Sequence, residues 1–303
     1  MDKRHKEALI RLSGDKVVFN CPMAQYTTMG VGGASEALYK ADELDELRLL
    51  IAFLNSEHIP YLIIGRGSNL LIKDNGFEGV AILLKGSLAG IERKDGDDLT
   101  VLAGAGLPLV DLITFCRNSG LGGLECFAGI PGTVGGAVIM NAGAFGNEFG
   151  SRVQTLEMIT REGNLIQKDR AQLMFSYRRL EIEDGQVAVR ARIILERESK
   201  EVVTGRIADY LKKRKIGQPM EYPSSGSVFK NPPSQYAGRL IEQAGLKGMR
   251  IGGAMISEKH ANFIVNTGNA SARNILDLIF LAQSKVKEQT GIELEPEIKI
   301  VGN

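Results

Sequence analysis

Apolar positions recur along this chain with two periods. Leu44, Leu47, Leu50, Ile51 and Leu54 share one stripe at helical spacing, which predicts an amphipathic helix. Ile275, Leu278, Ile279, Ala282 and Val286 repeat the pattern near the C-terminus, and Gly291 supplies a stop. Val110, Leu112, Ile113, Phe115 and Cys116 fill a shorter helix that can start at Pro108 and end at Gly120. Two more helices are predicted. One lies near 236–244. The other follows residue 200, carries the basic end Lys212-Lys213-Arg214-Lys215 and stops before Gly217 and Pro219.

Short apolar runs read instead as strands, at 61–64, 79–84, 100–103, 262–266 and 297–301. Residues 153–160 and 187–196 are predicted to be antiparallel strands, with turns at Arg161-Glu162-Gly163-Asn164 and Glu183-Asp184-Gly185. Residues 1 to about 20 read as a short helix and a strand. This succession makes α/β units that change near residues 90–98 and again near 200.

Between these elements the side chains shrink away at two places. One is Ala128-Gly129-Ile130-Pro131-Gly132-Thr133-Val134-Gly135-Gly136, running on to Asn141-Ala142-Gly143-Ala144. The other, Gly65-Arg66-Gly67-Ser68-Asn69, follows the strand at 61–64. Glycine tolerates positive φ and close approach by other atoms. Successive backbone N–H groups in such a run can form a concave nest for an anion. Two such loops suit a long ligand with a pyrophosphate centre, although either alone also reads as an ordinary turn.

Composition narrows the classes. The 303 residues carry a net charge of +1, so no broad basic surface for nucleic acid is implied. Tryptophan is absent and aromatics make up 6%, which argues against a stacking platform for single strands. No apolar run approaches the roughly 20 residues of a membrane helix. The charged N-terminus lacks a signal-type apolar core, so a cytoplasmic location is expected. Cys21, Cys116 and Cys126 have no metal-ligand spacing and read as small buried hydrophobes. His5, His58 and His260 are too scattered to suggest a metal centre or a catalytic triad. No phosphate-binding loop ending in Gly-Lys-Ser/Thr occurs. Gly30-Val31-Gly32-Gly33 is too short for the doubly wound dinucleotide fingerprint.

Three polar clusters remain: Ser176-Tyr177-Arg178-Arg179, Gly226-Ser227-Val228-Phe229-Lys230-Asn231-Pro232 and Glu295-Pro296-Glu297. A serine flanked by glycine can donate a proton or bind an anion. An arginine can pair bidentately with a carboxylate. Each also has a plainer reading, as a turn serine, a surface arginine or a strand-end glutamate. From the residues alone, the chain is an α/β protein that binds a phosphorylated ligand.

Taken together, the segments Gly65–Leu71, Gly129–Gly136, Asn141–Ala144, Ser176–Arg178, Gly226–Pro232 and Glu297 resemble the UDP-N-acetylenolpyruvoylglucosamine reductase family, from about residue 20 to the end. The first two alone would indicate only the wider flavin-binding family shared with vanillyl-alcohol-type oxidases. The resemblance implies an α/β (α+β) fold. After an N-terminal segment, 1–22, comes an FAD-binding domain, 23–198, in two subdomains at about 23–92 and 93–198 with the flavin between them. A C-terminal α/β substrate-binding domain, 199–303, follows.

The resemblance further implies that FAD lies against Gly65, Arg66, Gly67, Ser68, Asn69 and Leu70 in the first loop. In the second it implies Gly129, Ile130, Pro131, Gly132, Thr133, Gly135 and Gly136, then Asn141, Ala142 and Gly143. The first loop has no histidine, so the flavin is expected to be non-covalent. NADPH reduces it. The enolpyruvyl ether of UDP-N-acetylglucosamine is then reduced to UDP-N-acetylmuramate, in peptidoglycan precursor synthesis. By the same carry-over, Ser227 donates the proton, Arg178 and Glu297 stabilise the enolic carboxylate, and Tyr177, Lys230 and Asn231 contact substrate. Lys215 is a candidate for the diphosphate. Only 48 positions separate Arg178 from Ser227, which implies the family subtype without an extra tyrosine-bearing loop. A monomer with no metal is expected. Two rivals share the glycine loops: a flavin oxidase or dehydrogenase with another acceptor, and a non-catalytic FAD- or nucleotide-binding protein. Neither needs the Ser227 segment together with Glu297.

Overall fold

A computed structural model describes residues 1–94 and 97–302. Its contacts divide the chain into two compact units that interleave in sequence. One comprises Met1–Phe19, Glu36–Gly65 and Gly79–Lys212; the other comprises Asn20–Ser35, Arg66–Glu78 and Lys213–Asn303.

In the first unit, the predicted helix stripe is realised in Leu44–Ser56, which buries Leu47, Leu50, Ile51 and Leu54. These side chains share a core with Ala37, Tyr39, Val80 and Ile82. A four-stranded sheet supplies that core, in the order Val17–Pro22, Ala34–Ala41, Phe77–Leu84, Tyr61–Ile64. The last two strands run parallel, with Tyr61 opposite Val80 and Ile64 opposite Leu83. The strand Ala34–Ala41 has no counterpart in the sequence reading. Three of its residues are Ala, with one Glu and one Lys, types depleted in strands, and burial between two neighbours overrides that preference.

A second, five-stranded sheet in this unit has the order Leu165–Asp169, Val153–Ile159, Val187–Ile194, Asp97–Gly104, Ile91–Lys94. The expected antiparallel pairing is present, from Val153 opposite Ile193 to Ile159 opposite Val187. The helix Leu109–Asn118 begins after Pro108 as predicted and buries Leu109, Leu112, Ile113 and Cys116. Phe127 and Phe149 meet edge-on within its core, with centroids 5.2 Å apart.

In the second unit, the long helix Ala272–Thr290 buries Ile275, Leu278, Ile279, Ala282 and Val286, and Gly291 closes it with φ +72°. Asp74 caps its start: the carboxylate accepts from Ala272 N at 2.8 Å and Arg273 N at 2.9 Å. A three-stranded sheet accompanies it, in the order Arg250–Ile251, Ala254–Ile256, Ile264–Asn266. The first two of these strands are too short to carry a period. The terminal strand Lys299–Val301 pairs in parallel with Leu70–Ile72. This pairing and the Asp74 cap make 66–78 part of this unit.

The helix after residue 200 runs Lys200–Gly217 and so takes in Gly217, where a stop was expected. Glycine is tolerated there because the position is terminal and exposed. Among the described residues, no helix is long and apolar enough to cross a membrane, and no group of three or more His, Cys, Asp and Glu is placed to hold a metal ion. All three cysteines are buried. Burial, then the negative charge of Glu125, pushes the Cys116 thiol up to about 12.

Candidate active site

In the second unit, two of the three polar clusters form one ladder. Phe229 and Pro296 are antiparallel bridge partners. Glu297 N donates to Val228 O at 2.7 Å, and Lys230 N donates to Glu295 O at 2.9 Å. The segment carrying Ser227 therefore lies alongside the segment carrying Glu297. Val228 and Phe229 anchor the ladder by burying their side chains, and Ser227 itself is half-buried. Gly226 has φ +74° with open space where a Cβ would sit, so glycine is needed there for conformation rather than for room.

The first glycine loop joins this ladder from Arg66 onward. Asn69 Nδ2 donates to Glu297 O at 3.0 Å, and Lys299 N donates to Asn69 O at 3.0 Å. Gly67 has φ +61°, and a Cβ there would lie 2.1 Å from Tyr26 O. Thr28 N donates to Gly67 O at 3.3 Å, while Thr28 Oγ1 donates to Ser224 O at 2.7 Å. Thr28 thus ties the loop to the approach of the Ser227 segment. No sequence motif marks Thr28 for this role.

The expected substrate contacts hold structural partners as well. The Lys230 ammonium pairs with Glu295. Asn231 Oδ1 accepts from Ala237 N at 3.0 Å, where the helix Ala237–Gln243 begins. Lys215 is exposed in the last turn of its helix, and its carbonyl accepts from Lys259 Nζ at 2.6 Å.

Arg178 belongs to the first unit. It forms a two-residue turn with Tyr177 between the paired strands Phe175–Ser176 and Arg179–Leu180. Its φ is +60°, a conformation that costs a non-glycine residue about 1–2 kcal/mol. Arg178 Nη1 donates to Gly143 O at 3.0 Å, and Cζ lies 5.7 Å from the centroid of the exposed Tyr177 ring. A Cβ on Gly143 would lie 2.8 Å from Nη1, so glycine leaves room for the guanidinium.

Asn141 is fully buried beneath this turn. Its Nδ2 donates to Ser176 O and to Glu148 Oε2, each at 2.9 Å, and its Oδ1 accepts from Gly150 N at 3.0 Å. The Asn141–Gly143 segment thereby supports the hairpin that presents Arg178.

The second glycine loop corrects one expectation. The N–H groups of Ile130, Gly132, Val134 and Gly135 donate to Phe127 O, Ile130 O, Leu107 O and Ala105 O, and Gly136 N donates to Thr133 Oγ1. These five donors turn inward and do not form an outward anion nest. Glycine at 135 answers instead to packing, because a Cβ there would lie 2.8 Å from Ala105 Cβ. Thr133 is buried and caps the helix Val134–Ile139. Gly65 abuts it: a Cβ on Gly65 would lie 2.6 Å from Thr133 Oγ1. Gly65, Gly129 and Gly136 stay exposed as bare backbone, Pro131 is exposed, and Ile130 and Gly132 are half-buried.

Glu125, which the sequence did not single out, is buried just before this loop. It accepts from Gly123 N at 2.8 Å and pairs with Arg206 at 3.5 Å. A buried carboxylate whose cation comes from a distant helix leaves no local pattern to read.

Comparison with known proteins bears on this arrangement. A family model described as UDP-N-acetylenolpyruvoylglucosamine reductase, C-terminal domain, matches residues 218–301. One described as an FAD binding domain matches residues 35–168. The UDP-N-acetylenolpyruvoylglucosamine reductase of Syntrophus aciditrophicus is 42% identical over 98% of this chain and 96% of its own length. That of Caldanaerobacter subterraneus is 42% identical over 96% of this chain and 95% of its own. The crystal structure of the Thermus caldophilus reductase matches with a TM-score of 0.80 at 37% identity, over 94% of this chain and 98% of that one. These matches bear out the expected mixed α/β FAD-binding fold. The Ser227–Glu297 ladder falls within the C-terminal match, and Gly65, the second glycine loop and Asn141–Gly143 fall within the flavin-domain match. The chain belongs to the UDP-N-acetylenolpyruvoylglucosamine reductase family and is an FAD-binding oxidoreductase.

Proposed function

We propose that this chain reduces the enolpyruvyl ether of UDP-N-acetylglucosamine to UDP-N-acetylmuramate, with NADPH as reductant, for peptidoglycan precursor synthesis in the cytoplasm. The observation that supports the reading is the ladder that pairs the segment carrying Ser227 with the segment carrying Glu297, in a chain of this family.

The residues present fit a non-covalent FAD. Gly65, Gly129 and Gly136 expose backbone that a ligand can approach closely. The first loop, Gly65 to Leu70, the second, Gly129 to Gly136, and Asn141 to Gly143 would hold it. When bound, FAD supplies the electron-carrying chemistry that amino-acid side chains lack.

The chain's own residues handle charge and protons. Ser227 donates its hydroxyl proton to the carbon bearing the ether and carboxylate. A serine is a weak acid, so this transfer suits only a strongly basic, enolate-like acceptor. Negative charge grows on the substrate carboxylate as that acceptor forms. A fixed cation there lowers the barrier, which is the role of Arg178, with Glu297, on the segment paired with that of Ser227, completing the polar environment. Tyr177, Lys230 and Asn231 contact the sugar nucleotide, and Lys215 lies near its diphosphate. The exposed Glu295 carboxylate occupies one donor of the Lys230 ammonium and leaves others for the nucleotide. The domain division 23–198 and 199–303, and the subtype without the tyrosine-bearing loop, belong to the same proposal.

An anaerobic two-step titration tests the reading. NADPH should bleach the yellow holoenzyme, and the enolpyruvyl nucleotide should then restore the oxidised spectrum as UDP-N-acetylmuramate forms. A flavin that bleaches and stays bleached with this acceptor would refute it.

A further inference from the structure

Asn262 lies just before the strand Ile264–Asn266 and is 4% exposed. Its carboxamide grips a single residue at two points. Nδ2 donates to Phe229 O at 2.8 Å, and Oδ1 accepts from Phe229 N at 2.9 Å. Its main chain contributes a third bond, because Val228 N donates to Asn262 O at 2.8 Å. On the opposite edge of the same segment, Val228 O accepts from Glu297 N at 2.7 Å. All four backbone polar groups of Val228 and Phe229 are therefore engaged, three of them by Asn262. The next residue toward the N-terminus is Ser227, and before it stands Gly226, whose missing Cβ faces open space. The backbone is permissive on that side and clamped on the other, so the clamp fixes where the Ser227 hydroxyl can stand.

Asparagine suits this task for reasons of chemistry. It carries a donor and an acceptor on one short planar group, matching an amide's N–H and C=O. Aspartate would set a second acceptor against Phe229 O. Leucine would leave both backbone groups buried and unpartnered. Asn262 is itself held, with its N–H donating to His260 Nδ1 at 3.2 Å. The His260 ring in turn packs edge-on against Phe263 at 4.9 Å.

We propose that Asn262 is a positioning residue for proton delivery, acting through the Val228–Phe229 backbone on Ser227. The proposal rests on Ser227 being the proton donor. A misplacement of the order of 1 Å can cost about 100-fold in rate even when every reacting group is present.

The test is a double-mutant cycle on the holoenzyme, prereduced and mixed once with the enolpyruvyl nucleotide. Asn262→Gln keeps both hydrogen-bonding groups on a longer stem and should slow flavin reoxidation about 100-fold. Reduction by NADPH and the dissociation constant of the nucleotide for the oxidised holoenzyme should each stay within about 3-fold. In the Ser227→Ala background the same change should cost no more than about 2-fold, because the group it positions is gone. Asn262→Asp, which keeps the acceptor for Phe229 N and loses the donor to Phe229 O, is read in parallel and should also slow reoxidation; it carries the cycle if the Gln variant does not fold. Equal losses in both backgrounds, weakened nucleotide binding, or an unchanged rate would each overturn the positioning role while leaving Ser227 as donor. Normal reoxidation of Ser227→Ala itself would overturn the donor reading and this one together.

Discussion

The turn at Arg178 allows strain and function to be separated by comparing two substitutions. Arg178→Gly and Arg178→Ala both remove the guanidinium, its bond to Gly143 O and its contact with the Tyr177 ring, so those losses cancel between them. What remains is the backbone at φ +60°. Glycine relieves about 1–2 kcal/mol of left-handed strain that alanine keeps. Against this, glycine loses about 0.5–1 kcal/mol more than alanine in conformational entropy on folding. The difference leaves Arg178→Gly more stable than Arg178→Ala by about 0–1.5 kcal/mol, centred near 0.75. The assay is urea denaturation of both holoenzymes, with the midpoint and slope taken together. Turnover should show no such difference: both variants should lose reoxidation by the enolpyruvyl nucleotide to the same large extent. An alanine variant at least as stable as the glycine one would refute the strain argument. A glycine variant with near-normal turnover would refute the carboxylate role.

Three further outcomes are expected. Gly67→Ala places a Cβ 2.1 Å from Tyr26 O at a positive φ; it should cost about 1–3 kcal/mol and release FAD on gel filtration, whereas a stable, yellow variant would count against the packing argument. Asn141→Ala strands the buried Gly150 N–H and should destabilise the protein by about 1–3 kcal/mol in thermal or urea unfolding; a change under about 0.5 kcal/mol would contradict it. Burial, the largest cause, lowers the pKa of His260 below its ordinary 6.5, and the charge of Lys247 acts in the same direction. The unfolded chain therefore takes up this proton at higher pH than the folded one. Stability from this group is complete above about 6.5 and declines as pH falls from there toward the lowered folded value. His260→Gln should flatten that decline in urea midpoints measured between pH 7.5 and 5, and an unchanged slope would contradict the assignment.

The parts of this molecule visible in its sequence are those set by local pattern. The Leu44–Ser56 and Ala272–Thr290 helices announce themselves because each buries one stripe. The antiparallel pair 153–159 and 187–194 does so through its turns. Ala34–Ala41 stays hidden because its composition is weak for a strand and one of the two neighbours that bury it, Phe77–Leu84, is distant in the chain. The interleaving of the two units is invisible for the same reason. It depends on Asp74 capping a helix that starts at Ala272 and on Leu70–Ile72 pairing with Lys299–Val301.

At the site, the polar types were legible and their partnerships were not. Nothing in the spacing of Ser227 and Glu297 announces a shared ladder. The second glycine loop shows the opposite limit. Its composition suggested an anion nest, while the N–H groups of Val134 and Gly135 serve the packing of the loop onto Leu107 and Ala105. Glycine can be required for close approach within the protein as much as for approach by a ligand.

The central claim is that proton delivery by Ser227 serves one half of the reaction alone. Anaerobic single-turnover kinetics on Ser227→Ala holoenzyme test it most directly. Reduction by NADPH should proceed at close to the unsubstituted rate, while reoxidation by the enolpyruvyl nucleotide should fall by about 100- to 10,000-fold, the usual worth of a positioned proton donor. Equal loss in both halves, or loss in neither, would contradict the account.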